Sequence, residues 1–220
     1  MISILFTEVS GWDAAIIGMR NPLNSWAKMD SYWTYIEDAE TGQRAKFEFF
    51  AGENDLKLMK KLARAGSDHG KFLRYINVTA DITCSLYWFK EFDTYKISTV
   101  ANSTSTMHKI HAKEFTLDDF SHEHLDEESV IQLKQLISWL NWNRDKFIET
   151  KAKHYGWQMI QLLPTSYNQK RTVQLNYQVL KSMYHARKNH KLDEWHDFCA
   201  WCESLPYFLE LCGGGHEESM

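Results

Sequence analysis

At 220 residues the chain is long enough to bury a core of its own without disulfide or metal staples. Its formal charge of -4 comes from interspersed acids and bases rather than blocks, which argues against a nucleic-acid binder. No stretch approaches the ~18 consecutive apolar residues of a membrane span, and MISILFTEVSGW lacks the basic start and apolar length of a signal segment. A cytoplasmic protein, not bound to membrane, is expected.

In chain order, Ile2 to Phe6 reads as a strand, and Asp13 to Met19 as a short helix with Ala14, Ala15 and Ile17 inward, stopped at Arg20-Asn21-Pro22. A polar loop through Asp30-Ser31 follows. Asn54 then caps a helix running to about Ala65, with Leu56, Leu58, Met59 and Leu62 at helical spacing and Gly66 as its stop. Between Phe72 and Thr83, Ile76, Val78, Ala80 and Ile82 alternate with polar residues, predicting a strand with one apolar face. Leu86 to Tyr95 is dense in aromatics and reads as a helix. The longest helical pattern covers Leu125 to about Lys153 and breaks at Gly156; further helices are expected over Thr172 to Arg187 and Leu192 to Leu205, the last stopped by Pro206. The fold class is therefore α+β, a mixed central sheet flanked by helices, in a single domain over 1–212 with a mobile tail over 213–220.

The chain carries nine Trp, ten Tyr and twelve Phe, which supply large buried area and also stack on flat rings such as flavins. Cys199-Ala-Trp-Cys202 has the spacing of a redox or half-zinc motif, yet a second pair and a preceding strand are both missing. All four cysteines are expected to be reduced and structural, with Cys199 and Cys202 packed beside Trp195, Phe198 and Trp201. No G-x-S-x-G elbow, P-loop or G-x-G-x-x-G is present, so no nucleophile stands out.

The most informative stretch is Lys90 to His108, KEFDTYKISTVANSTSTMH. Besides Tyr95 it holds the hydroxyls of Thr94, Ser98, Thr99, Ser103, Thr104, Ser105 and Thr106, directly after Tyr87, Trp88, Phe89 and Phe92. Such a run is a capped loop or strand edge unless cations join it. Upstream stands His69, before Lys71-Phe72-Leu73; downstream come Leu163-Pro164, Asn176, Leu180, Tyr184 and Arg187.

In order and spacing these pieces resemble the flavin-dependent thymidylate synthases (ThyX-like proteins). His69 stands where that family opens its H-x-T-P-x-E-H segment. Lys90-Glu91-Phe92 takes the place of R-Q-W, Thr94-Tyr95-Lys96 that of R-H-R, and Thr104 that of the Ser of R-H-R-x7-S. Asn176 starts the counterpart of N-x-R-S-L-x-x-F, with Gln178 in place of its arginine, and Ile160 replaces an arginine ahead of L-P. The resemblance implies a homotetramer that binds FAD and a pyrimidine nucleotide. It also implies reductive methylation of dUMP with NADPH and methylenetetrahydrofolate as co-substrates. It assigns His69, Lys96, Asn102 and Asn176 to the flavin, and Glu91, Thr104, Ser105 and Arg187 to the nucleotide, with no residue acting as nucleophile.

Three or more of the family's cations are replaced. A charge-assisted hydrogen bond is worth about 1.5–3 kcal/mol, so three lost arginines remove roughly a thousand- to a million-fold in phosphate affinity. Lys96, Lys109, Lys170, Arg171 and Arg187 are the replacements the chain offers. A catalytically degenerate or re-purposed nucleotide-binding or assembly protein is the alternative. A third reading is a metal-dependent hydrolase built on His108, His111, His122 and His124 beside Glu114, Asp118, Asp119 and Glu123. The local pattern there is polar and loop-like and H-E-x-x-H is absent, so no metal site is expected.

Overall fold

The structure, a computed structural model, describes residues 2–37 and 44–214. Of the tail expected over 213–220, residues 215–220 lie outside the described residues. In order the chain forms β1 (Ser3–Ser10), α1 (Trp12–Arg20), β2 (Tyr32–Glu37), β3 (Arg44–Phe50), α2 (Glu53–Arg64), β4 (Asn77–Ser85), α3 (Leu86–Phe92), β5 (Val100–Ser103), α4 (Glu127–Thr150), α5 (Lys153–Leu162), β6 (Asn168–Asn176), α6 (Tyr177–Arg187), α7 (Asp193–Glu203) and α8 (Phe208–Cys212). One sheet has the order β1-β4-β6-β5, and β2 and β3 form a separate antiparallel pair. Sheet and helices thus coexist as expected of an α+β chain, and among the described residues no helix is long and apolar enough to cross a membrane.

The chain packs as two compact units. Among the described residues, the first comprises 2–7, 80–173 and 191–198; the second comprises 8–37, 44–79, 174–190 and 199–214.

Two cores hold the first unit. Leu133, Ile137 and Leu140 of α4 lie at helical spacing and bury against Met159 of α5 and Ile110, Phe115 and Phe120 of the preceding loop. The expected break at Gly156 is misplaced: Lys151 takes the left-handed conformation (φ 59) that ends α4, and Gly156 sits inside α5. A Cβ at Gly156 would come within 3.3 Å of the Phe147 ring, so the glycine serves the close approach of α4 and α5. The second core gathers Trp88, Phe89 and Phe92 of α3 with Trp195 and Phe198 of α7, the Trp88 and Trp195 rings 4.7 Å apart.

In the second unit Trp12 stacks on Phe49 at 4.8 Å and meets the edges of Tyr177 and Tyr207. α1 buries Trp12, Ala15, Ile16 and Met19, whereas Ala14 and Ile17, expected inside, face outward because the apolar stripe starts one residue before Asp13. Gly11 takes φ +89 and its Cβ would fall 1.9 Å from the Tyr75 carbonyl oxygen, a position open only to glycine.

Several local expectations need correction. The stretch between α1 and α2 is not a loop throughout, because alternating aromatic and β-branched residues pair as β2 and β3. Asn54 is not the cap of α2. The helix starts after Gly52, and the Asp30 carboxylate accepts from the backbone N–H groups of Asn54 (2.8 Å) and Asp55 (3.0 Å), a cap supplied from a distant loop. The segment from Phe72 opens as a 3-10 helix over Gly70–Arg74, and the strand runs Asn77–Ser85 with Val78, Ala80, Ile82 and Cys84 buried. The helix expected from Thr172 is a strand as far as Asn176, because Val173 and Leu175 are buried in alternation with exposed Thr172 and Gln174.

All four cysteines are free and buried. Burial pushes the thiols of Cys84 and Cys212 up to about 12, that of Cys199 to about 11, and that of Cys202 well above its ordinary value. A neutral-pH thiol reagent is therefore expected to leave all four unmodified in the native protein and to label all four after unfolding in denaturant, counted by mass spectrometry.

Candidate functional site

The hydroxyl-rich stretch lies wholly in the first unit. Ser85 caps α3 by accepting from Trp88 N–H, and the helix buries its aromatic side. Glu91 is half-buried, with Oε2 accepting from the Trp195 indole N–H at 2.8 Å. At the start of the same helix the Tyr87 hydroxyl donates to the carboxylate of buried Glu194, and burial followed by that bond pushes Tyr87 up to about 12. α3 is thus tied to α7 at two points.

After α3 the chain turns. Thr94 donates to the Glu91 carbonyl at 2.7 Å, Thr99 donates to the Tyr95 carbonyl at 2.8 Å, and Ser98 between them is left-handed (φ 60). Lys96 is exposed. β5 then runs along the sheet edge with Asn102 exposed. Its continuation is clamped to β6: Thr104 N–H donates to the Lys170 carbonyl (2.9 Å), and buried Gln169 donates its amide to the Thr104 carbonyl (2.7 Å). Ser105 Oγ accepts from the N–H groups of Met107 and His108, closing a turn.

Thr104 and Ser105 open onto a cleft of about 800 Å³ whose walls include Lys109, Lys113, Asp119, His122, Asn168 and Lys170. Two of the replacement cations named from sequence, Lys109 and Lys170, therefore meet two of the expected nucleotide residues. Glu91, Lys96 and Asn102 do not line this cleft.

The charges are largely matched. Lys170 Nζ pairs with Asp81 at 2.6 Å and lies 5.9 Å from the Phe6 ring; Lys113 pairs with Asp119. Hydrogen bonds from Lys170 and then Thr172 hold the Asp81 carboxyl below its ordinary value. Arg171 donates to Asp93 at 2.7 Å and to Gln169 at 3.0 Å, with its guanidinium 3.9 Å above the Phe89 ring. No motif in the sequence marks Asp81 or Asp93. Asp81 was nevertheless signalled by alternation, since the neighbours of buried Ala80 and Ile82 must lie on the other face of β4.

The second unit carries the other three residues. His69 is exposed at the entry to the 3-10 helix. Asn176 is buried at the junction of β6 and α6, where its Oδ1 caps α6 by accepting from Val179 N–H at 3.0 Å. Arg187 is half-buried in the last turn of α6, beside the negative end of the helix.

The histidines of the metal reading disperse. His111 packs on the Phe147 ring, His122 Nδ1 lies 2.7 Å from the Phe120 carbonyl, and His124 pairs with Asp193 at 3.0 Å. Among the described residues no group of three or more His, Cys, Asp or Glu is placed to hold a metal ion.

No protein-family model and no curated protein sequence matches the chain. Solved structures do. Thymidylate synthase X (ThyX) from Helicobacter pylori, crystallised with FAD and dUMP, is 16% identical, with 96% of this chain and 97% of that chain covered at a TM-score of 0.65. A second structure of the flavin-dependent thymidylate synthase ThyX from H. pylori, complexed with FAD and dUMP, is 16% identical with the same coverage at a TM-score of 0.64. The chain has the ThyX fold.

Proposed function

We propose that the chain is a divergent flavin-dependent thymidylate synthase that binds FAD and a pyrimidine nucleotide. Its reaction is the reductive methylation of dUMP or a related nucleotide, with NADPH and methylenetetrahydrofolate as co-substrates. The observation that carries the reading is a fold likeness extending over 96% of the chain to structures that hold FAD and dUMP. The protein is taken to work in the cytoplasm as a homotetramer, with residues 1–212 acting as one domain.

The residues present fit these ligands in part. His69, Lys96 and Asn102 are exposed and offer ring, ammonium and amide groups to a flavin, whereas Asn176 has its oxygen engaged in the α6 cap. For the nucleotide, Thr104 and Ser105 offer hydroxyls in a cleft of ordinary ligand size, about 800 Å³, joined by Lys109. Glu91 would repel a phosphate, so its place is toward a base edge; Arg187 is assigned to the phosphate. A bound flavin supplies the redox and one-carbon relay chemistry. The chain's own work is orientation, and the exclusion of water from the reacting groups.

A specific observation favours a second reading, in which the fold binds a nucleotide without turnover. Two of the replacement cations, Lys170 and Arg171 on β6, are already paired with Asp81 and Asp93, so an incoming phosphate must compete for them. One experiment separates the two. The purified protein is titrated with FAD by visible absorbance, then assayed for release of tritium from C5 of labelled dUMP with NADPH and methylenetetrahydrofolate. Flavin uptake with tritium release is the expected result. Nucleotide binding with tritium retained establishes the second reading, and failure to take up flavin overturns the first.

A further inference from the structure

The β2–β3 hairpin is a sheet of its own, two strands wide. A two-stranded ribbon is marginal in water unless it packs on something. At one end this one does, through Phe49 stacked on Trp12. Farther out, Tyr35 and Phe47 form a cross-strand pair 4.8 Å apart, and each remains 52% exposed. Among the described residues β3 pairs only with β2, so its other side presents a row of backbone donors and acceptors that can template a further strand.

We propose that β3 pairs antiparallel with β3 of a second copy of this chain about a two-fold axis through Phe47, giving a continuous sheet β2-β3-β3-β2. Charge selects that register. With Phe47 opposite Phe47, Lys46 faces Glu48 of the second copy and Glu48 faces its Lys46. An axis through Lys46 would oppose two lysines, and one through Glu48 two glutamates. The edge of β2 has no such complementarity, since an axis through Tyr35 sets Thr34 against Ile36 and Trp33 against Glu37. Cross-strand register places Tyr35 beside Phe47, so the proposed sheet carries an aromatic row Tyr35, Phe47, Phe47, Tyr35 on one face. On the other face Lys46, 72% exposed and 2.6 Å from Glu48 of its own strand, gains a second carboxylate. A two-fold contact of this kind is self-complementary and closed. It stands independently of any flavin or nucleotide reading.

Sedimentation velocity over a concentration series tests it. Wild-type protein is expected to self-associate, and Lys46→Glu and Glu48→Lys are each expected to weaken that step about tenfold or more, because each opposes like charges at both ends of the contact. An equimolar mixture of the two variants should recover association, because the acidic strand then faces the basic one while the pair within each strand stays repulsive. Phe47→Cys should form an intermolecular disulfide on mild oxidation, against a background of native cysteines that are all buried. A monomeric wild type overturns the proposal. So do single variants that associate as tightly as wild type, a mixture that behaves like its separate components, or a Phe47→Cys protein that does not cross-link.

Discussion

Replacing Asp55 with alanine is expected to destabilise the protein by about 3–5 kcal/mol, the range for removing one partner of a buried ion pair. Asp55 is fully buried and accepts four hydrogen bonds: from Arg20 Nε at 2.6 Å, from the N–H groups of Asp30 and Ser31 at 3.0 and 2.9 Å, and from the Ser31 hydroxyl at 2.7 Å. Without it the Arg20 guanidinium, 3% exposed, keeps only weak contacts to Ser25 at 3.3 and 3.4 Å, and its Nη2 already has no partner among the described residues. Arg20→Met is expected to be milder, because the carboxylate would keep three donors. Equal urea midpoints for the two variants would contradict this account.

The same site predicts a pH dependence. Burial pushes the Asp55 carboxyl up, but hydrogen bonds from Asp30, Ser31 and Arg20 outweigh it and hold the group below its ordinary value of 3.8. A folded-state value lower than the unfolded one means that the contribution is fully present above pH 4 or so. It is lost as the pH falls through the folded value. Wild-type stability should therefore drop on acidification below about pH 4 more steeply than that of Asp55→Ala, read from urea midpoints along a pH series.

Trp88→Ala should have a comparable effect, about 3–5 kcal/mol, because it empties the centre of the α3–α7 core. Trp88 is fully buried, with the rings of Phe89, Phe92, Trp195 and Phe198 between 4.7 and 5.7 Å away. Its indole N–H has no hydrogen-bond partner among the described residues. Trp88→Phe removes that unpaired donor, worth about 1–3 kcal/mol of relief, while leaving a smaller void. It should lose less than half of what alanine loses. A phenylalanine variant as damaged as the alanine one would show that the indole N–H is satisfied after all.

α4, α3 and α7 were legible because each turns one apolar stripe to a core, although the end of α4 at Lys151 was not, and β4 was legible because Val78, Ala80 and Ile82 alternate cleanly. β6 was missed because its two inward residues, Val173 and Leu175, merge in spacing with Leu180 of the following helix. The hairpin was missed because its inward aromatics, Trp33 and Phe49, reveal their direction only once they pair. For the candidate site, Thr104, Ser105, Lys109 and Lys170 were named from the chain, and the cleft brings those four together. Asn176 was named as a ligand contact, and its oxygen proved to be a helix cap.

What the sequence by itself determined was the apolar periodicity that builds the cores, the buried cysteines, and the hydroxyl-rich, arginine-free run from Lys90 to His108. Those are properties of single residues and short spacings. The tertiary structure decided where the surviving charges are spent. Lys170 meets Asp81 across the β4–β6 pairing, Arg171 reaches Asp93, and Asp30 caps a helix it does not belong to. An ion pair or a borrowed cap depends on which strands and loops become neighbours, and that follows from the packing of the whole chain rather than from any local spacing.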